Sequence, residues 1–290
     1  MHVVIAGGSG FVGGYFAKML IEQRHQVTVL THSDIAVINA RLEKHHGLSG
    51  KVNLISYDDY NGEGDVLFNF AGESFGAKAI TTRRLNLLLS SRLDIINKFK
   101  ALITLPPIYV QASAVAIYDD KGNGEIDENS PTNGDNEIAE LTRKLEAAAQ
   151  ELNERFNFKH FYIARFGIVL HRNGGFIKKS AFTPPFTILH AENKVPFIEL
   201  HDTLNALMLM TEGTLPSGPV NLVSPQSATL KELLACCFKH SKLPPIPIMT
   251  GFLKLGDRRM ILLKADQDVK PNVLLQHGFK FYTPDISKVE

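Results

Sequence analysis

Cysteine is nearly absent: the 290-residue chain has two, the neighbours Cys236 and Cys237. They fall in a helical pattern where adjacent side chains point in different directions, so a bridge between them would be strained. That argues against a disulfide framework and leads to the expectation of a reducing, cytoplasmic compartment. Charge of one sign is lacking too, since 31 Lys and Arg stand against 30 Asp and Glu, spread evenly along the chain. Neither a nucleic-acid partner nor an anionic membrane surface is implied. No apolar run approaches bilayer length, and no basic or apolar leader pattern precedes the strand starting at His2, so a soluble protein is expected. The eleven histidines never fall at metal-ligand spacing, and no Ser-His-Asp pattern, internal repeat or low-complexity tract is present. Metal is not expected.

What the chain has is a beginning around which the rest is organised. The apolar, β-branched run Val3-Val4-Ile5-Ala6 enters Gly7-Gly8-Ser9-Gly10-Phe11-Val12-Gly13, and a helical pattern (Phe16, Ala17, Met19, Leu20) leaves it. In such a strand-turn-helix corner Gly7 allows the tight turn, Gly10 admits a pyrophosphate with no Cβ in its way, and Gly13 lets the helix pack against the sheet. Phosphates then lie on the free N–H groups that Ser9, Phe11 and Val12 share with these glycines at the helix start. The next strand, His25 to Leu30, arrives at βαβ spacing, which favours dinucleotide binding over an ordinary glycine-rich turn.

Further along, a helix is expected over Asp34 to His46, and strands over Val52 to Ile55 and Asp65 to Phe70. A long helix from about Thr82 to Leu102 is stopped by Pro106-Pro107, and Ile108 to Ala112 is a fifth strand. The stretch Tyr118 to Asn136, rich in Asp, Asn, Gly and Glu, reads as a loop, followed by a helix over Glu137 to Arg155 and a strand over Phe161 to Ala164. Strands alternating with helices give an α/β Rossmann fold, a doubly wound parallel sheet that binds ligand at the carboxyl ends of its strands. Beyond Arg165 prolines (Pro184-Pro185, Pro216, Pro219, Pro244-Pro245) break the pattern, with helices expected at Asp202 to Glu212 and Leu230 to His240. Residues 1–165, with a strand and helix around 200–225, are read as the dinucleotide-binding domain. The ranges 166–200 and 226–290 form a smaller, partly interleaved C-terminal lobe closing over the cofactor.

Several strand ends together resemble the extended short-chain dehydrogenase/reductase superfamily, the corner matching its TGGTGxIG type. Within it the chain is more similar to the epimerase family proteins of the NAD-dependent epimerase/dehydratase, nucleoside-diphosphate-sugar-epimerase-like branch, some of which carry a cell-division-inhibitor-like label. Asn69-Phe70-Ala71-Gly72-Glu73 resembles that branch's NLAGE, Ser91-Arg92 its SR, and Gln111 to Tyr118 its SASAVGYY. Arg165 to Leu170 resembles RTGIVL, Gly218 to Pro225 GPFNLVSP, and Gly278 to Phe281 GFEF. The similarity covers nearly the whole chain.

The superfamily's usual acid-base device is Tyr-x-x-x-Lys on one helix, the Lys lowering the phenol pKa and holding the nicotinamide ribose. Here the seven tyrosines are followed at that spacing by Met19, Asn61, Gly64, Ser113, Gly122, Phe166 and Ile286. Aligning on Glu146 puts Ile138 at the Tyr position and Thr142 at the Lys position. The glycine-rich loop expected before the branch's WIH element is also missing, Leu189-His190-Ala191-Glu192-Asn193 running almost directly into Phe197-Ile198-Glu199.

By the resemblance Ser113, at the end of the fifth strand, lies near the nicotinamide or a substrate carbonyl, unless its hydroxyl is bonded to a strand-end carbonyl. Tyr118 is the other candidate proton donor, although with no nearby cation its pKa should stay near 10. Asn69, Ala71, Gly72 and Glu73 belong to the cofactor-side turn, Glu73 contacting ribose or substrate or else facing solvent. Arg92 and Arg165 either point into the cleft or pair with carboxylates.

NAD-selective Rossmann units generally end the second strand with an acid that binds the ribose hydroxyls. This strand ends Leu30-Thr31-His32-Ser33, with no acid until Asp34. Thr31 and Ser33 can donate to a 2′-phosphate, and the branch often has Arg where His32 stands, a charged fork where imidazole offers one donor. NADP is expected over NAD. Two functions stay open: an NADP-dependent, epimerase-like oxidoreductase acting on a small or nucleotide-linked polar substrate with an unusual proton donor, or a non-catalytic dinucleotide-binding regulatory protein acting through a protein partner.

Overall fold

In the computed structural model the described residues are 1–75, 78–172, 174, 177, 186–188, 192–239, 246–248, 261 and 264–289. In chain order they form β1 (His2–Ala6), α1 (Phe11–Glu22), β2 (Gln26–Thr31), α2 (Ile35–His46), β3 (Asn53–Ser56), β4 (Val66–Asn69), α3 (Thr82–Lys100), β5 (Ile108–Ala114), β6 (Lys121–Ile126), α4 (Glu137–Phe156) and β7 (His160–Phe166). There follow β8 (Ile168–His171), β9 (Phe186–Ile188), β10 (Lys194–Val195), β11 (Phe197–Glu199), α5 (Leu200–Glu212), β12 (Gly218–Leu222), β13 (Ala228–Thr229), α6 (Leu230–Cys237), β14 (Ile246–Ile248), β15 (Asp266–Val269) and α7 (Asn272–Gln276). The expected segments at 184–185, 189–191, 240 and 244–245 lie outside the described residues.

Seven strands make one parallel sheet in the order β12-β7-β5-β4-β1-β2-β3. The order turns at β1, where β2 and β3 lie on one side and β4 and its successors on the other, so the crevice between the ends of β1 and β4 is the switch point where such sheets bind ligand. Alternation along each strand sends side chains to both faces. Val3 and Ile5 join Phe16, Leu20 and Leu207 in a cluster under α1, α2 and α5, while Val4 and Ala6 join Ile95, Phe99, Leu145 and Leu152 under α3 and α4. Both faces being covered, the inner strands are largely apolar, and each fully buried Val, Leu, Ile or Phe adds roughly 1.5–3 kcal/mol.

Local chemistry sets the helix ends. Asp34 accepts from the N–H groups of Ala36 and Val37 to cap α2, and Asn136 does the same for Ile138 and Ala139 at α4. Thr229 and Glu232 close a capping box on α6.

Within the first 165 residues one element differs from the sequence reading. Within the expected loop 118–136, Lys121–Ile126 is a strand, paired in parallel with β15. Its five residues Lys121 to Glu125 are exposed and include two glycines, so neither hydrophobic alternation nor β propensity marks it. Only the partner strand, about 140 residues later, makes it a strand. No helix among the described residues is long and apolar enough to cross a membrane.

Candidate functional site

At the switch point Gly7 has φ +81°, and a Cβ there would lie 2.7 Å from the Phe70 carbonyl carbon and 2.8 Å from the Ala71 nitrogen. Only glycine lets the β1 turn pass the β4 turn this closely. Gly10 donates its N–H to the Gly7 carbonyl at 3.0 Å, and a Cβ on Gly13 would lie 2.6 Å from that same oxygen, so helix and turn meet at backbone distance. The first intrahelical bond runs from Gly14 to Gly10. Nothing caps the N–H groups ahead of it: α1 starts without a side-chain cap, whereas every other described helix of eight or more residues has one. The donors of Phe11, Val12 and Gly13 are therefore left for an external acceptor, where the helix dipole favours an anion.

At the end of β2, the Thr31 hydroxyl accepts the Ser33 N–H at 2.9 Å, folding a tight turn that leaves His32 and Ser33 exposed. The His32 ring stacks on Tyr57 at 4.2 Å between centroids. Partial burial, and then the Lys98 charge, hold His32 below the ordinary imidazole pKa, so it is neutral near pH 7. Asp34, the first acid after the strand, has its carboxylate engaged in capping α2 at 2.8 Å from the Ala36 nitrogen.

The Asn69-to-Glu73 turn divides its work. Asn69 is buried and ties strands together, donating to Gln111 Oε1 at 3.0 Å and Tyr109 Oη at 3.2 Å, while its own oxygen accepts the Ala71 N–H. Glu73 is exposed and pairs with Arg84 at 2.9 Å. Gly72 has φ +145°, and a Cβ there would lie 2.8 Å from Arg92 Cζ, so the glycine is the floor under a guanidinium.

Beside this turn, at the carboxyl ends of β4, β5 and β7, opens a cleft of about 290 Å³. Its wall is mostly apolar, from Phe70, Phe75, Leu141, Leu145, Phe166 and Ile168 among others. Ser113, Ile138 and Thr142 line it too, so the positions aligned with the missing Tyr and Lys face the place where those groups would have acted. Thr142 donates its hydroxyl back to the Ile138 carbonyl at 2.8 Å.

Ser113 donates to Glu146 Oε1 at 2.5 Å. That carboxylate also receives a two-pronged contact from Arg165, Nε at 3.0 Å and Nη2 at 2.8 Å, while Arg165 Nη1 donates to the Tyr118 hydroxyl at 2.6 Å. Tyr118 in turn donates to Asn221 Oδ1 at 2.9 Å. The sequence reading left Tyr118 without a cation, yet Arg165 lies with Cζ 4.9 Å from its ring centroid, brought there by the pairing of β5 with β7. Burial still pushes the phenol above its ordinary pKa, against the lowering effect of Arg165. Tyr118 and Arg165 are buried behind the cleft, Ser113 is at its wall, and Glu146 and Asn221, which sequence reasoning left out of the site, complete the chain of contacts. Glu146 had one signal: it stands one helical turn beyond Thr142 on the same face.

The model of the NAD dependent epimerase/dehydratase family matches residues 3–162. Epimerase family protein YfhF of Bacillus subtilis is 26% identical over 307 residues, covering 99% of this chain and 95% of the relative. Human epimerase family protein SDR39U1 is 26% identical over 308 residues, covering 99% and 97%. Among solved structures, human SDR39U1 (isoform2) with NADPH superposes with a TM-score of 0.81 at 23% identity, over 100% of this chain and 97% of that one. UDP-glucuronic acid 4-epimerase from Bacillus cereus, in complex with UDP-glucuronic acid and NAD, gives 0.74 at 12% identity over 99% and 96%.

Proposed function

The chain belongs to the NAD dependent epimerase/dehydratase family, and from that premise we propose that it is an NADP-binding, epimerase/dehydratase-like oxidoreductase of the extended short-chain dehydrogenase type, acting on a small molecule held in the cleft. The observation that carries the reading is the uncapped start of α1 over the closely packed Gly7 turn. Ser9, Gly10, Phe11, Val12 and Gly13 would hold the pyrophosphate, and Thr31, His32 and Ser33 the 2′-phosphate. The second strand ends Thr31-His32-Ser33 with no acid, and the carboxylate of Asp34 is engaged in capping a helix, which supports NADP over NAD. Human SDR39U1, solved with NADPH, is consistent with this. Ala71 and Gly72 would border the nicotinamide, and the lobe of 166–200 and 226–290 would cover it. Two cysteines in 290 residues, neither in a disulfide, support a cytoplasmic location.

A bound dinucleotide would supply hydride; this chain's residues would hold and orient the substrate. Ser113 is the cleft hydroxyl that faces a substrate carbonyl, but with its proton directed to Glu146 it presents an acceptor. Tyr118 and Arg165 position Glu146 and hence Ser113. A proton for a reduced carbonyl comes from water, since Ile138 cannot donate and Thr142 donates to its own helix.

The same absence of a free acid-base group among the described lining residues favours a second reading, a non-catalytic cofactor-binding protein that regulates a protein partner. Titration with NADPH and with NADH, followed by NADPH oxidation against a carbonyl panel, separates the two. Preferential NADPH binding with turnover supports the oxidoreductase, binding without turnover the regulator, and failure to bind either dinucleotide refutes both.

A further inference from the structure

Polar groups in the cleft wall are mostly committed inward. Ser113 donates to Glu146, Thr142 to the Ile138 carbonyl, Gln267 to backbone carbonyls of Val115, Tyr118 and Asp119, and Asn136 to Asp120. Arg92 differs. It is the only cation among the described lining residues, and of its five N–H donors two are accounted for, by the Leu88 carbonyl at 2.7 Å and the Glu73 carbonyl at 3.1 Å. No carboxylate of the described residues lies within ion-pair distance of it, because Glu73 pairs with Arg84. Two guanidiniums thus stand near one carboxylate that contacts only Arg84, and Arg84 Nε is itself buried without a hydrogen-bond partner.

The guanidinium is also fixed in place. It lies between Gly72, where any Cβ would collide with it, and the Phe75 ring, 4.9 Å from Cζ. Desolvation draws its pKa down to about 10, which leaves it cationic at neutral pH. Holding a charge half-buried beside an apolar wall is costly unless an anion meets it.

Resting on the cofactor reading above, we propose that the cleft's substrate is a small molecule with an apolar body and a carboxylate head, the body against Phe70, Leu141, Leu145 and Phe166 and the head on the free N–H groups of Arg92. A planar carboxylate matches the guanidinium fork in geometry and charge. Asp120, the one acid in the lining, is held by Asn136 Nδ2 at 3.0 Å and selects against a second carboxylate at its end of the cleft. Sugar hydroxyls, which need many donors and acceptors, find few here.

Calorimetric titration of the NADPH-saturated protein with naphthalene-2-carboxylate, naphthalene-2-carboxamide and UDP-glucose tests this directly. The carboxylate is expected to bind at least tenfold more tightly than the isosteric amide and more tightly than UDP-glucose. Arg92→Gln, which keeps a polar side chain over Gly72, should reduce the acid-over-amide ratio to under twofold while leaving amide binding in place; Arg92→Lys should keep part of the preference. Equal binding of acid and amide by the unaltered protein, preference for UDP-glucose, or an undiminished ratio in Arg92→Gln overturns the proposal. NADPH affinity measured on the same preparations reports the cofactor reading separately, so a cleft without anion preference and a corner without cofactor are distinguishable results.

Discussion

Replacing Gly10 by Ala should separate cofactor binding from folding. Gly10 has φ −78° and ψ −178°, ordinary extended backbone, and the nearest atom to an added Cβ is the Gly7 carbonyl oxygen at 3.1 Å. Relief needs a shift of a few tenths of an ångström. The reduced freedom of the unfolded chain returns about 0.4–1 kcal/mol, so net stability should change by less than about 1 kcal/mol. Gly7→Ala is the contrast: φ +81° costs about 1–2 kcal/mol for an L side chain, and the overlap with Phe70 and Ala71 is with backbone, which adds about 1–3. At roughly 2–4 °C per kcal/mol for a chain of this size, Gly7→Ala should melt about 5–15 °C low and Gly10→Ala within about 3 °C of the parent. Yet the Gly10 methyl would point into the space proposed above for the pyrophosphate. NADPH affinity should fall at least tenfold, about 1.4 kcal/mol. Thermal unfolding by circular dichroism and fluorescence titration with NADPH read the two effects. Undiminished affinity in a normally folded Gly10→Ala protein would show that the phosphates do not sit on this corner, whatever the rest of the fold resembles.

His32→Arg should tighten NADPH about tenfold at low salt while leaving NADH unchanged, through a charged fork on the 2′-phosphate; an unchanged titration removes His32 from the site. In the parent protein His32 is held neutral by burial and by Lys98, and a phosphate beside it favours its protonated form. NADPH binding should therefore strengthen relative to NADH as pH falls from 8 to 6.5, and a flat ratio would count against the contact. Glu146→Leu strands Arg165 without its carboxylate in a buried place and should cost about 3–5 kcal/mol in denaturant unfolding, more than Glu146→Gln; equal losses would mean the pair contributes packing alone. Installing Tyr and Lys together (Ile138→Tyr with Thr142→Lys) should raise NADPH oxidation by a carbonyl panel about 100-fold, the lower range of general acid catalysis, and no gain would place the reacting carbonyl elsewhere.

Much of the architecture was legible locally because its causes are local. The glycine spacing at Gly7, Gly10 and Gly13 follows from what a Cβ would strike, and the β4 strand is mostly apolar because both its faces are covered. The missing Tyr-Lys pair could likewise be read as Ile138 and Thr142, and both face the cleft. Three things needed the tertiary structure. The strand Lys121–Ile126 exists only through its distant partner Asp266–Val269. Arg165 could be placed at a strand end but not paired, because whether it meets Glu146 and Tyr118 or the cleft depends on how β7 registers against β5 and α4. Arg92 looked equally able to pair with a carboxylate, and it was the packing of Gly72 and Phe75 around its guanidinium, with Glu73 drawn to Arg84, that left it facing an apolar cleft with no ion-pair partner among the described residues. Sequence determines backbone conformation and burial pattern because those depend on neighbours in the chain; which charge meets which carboxylate depends on separations of a few ångströms between residues far apart in it, and only the folded chain sets those.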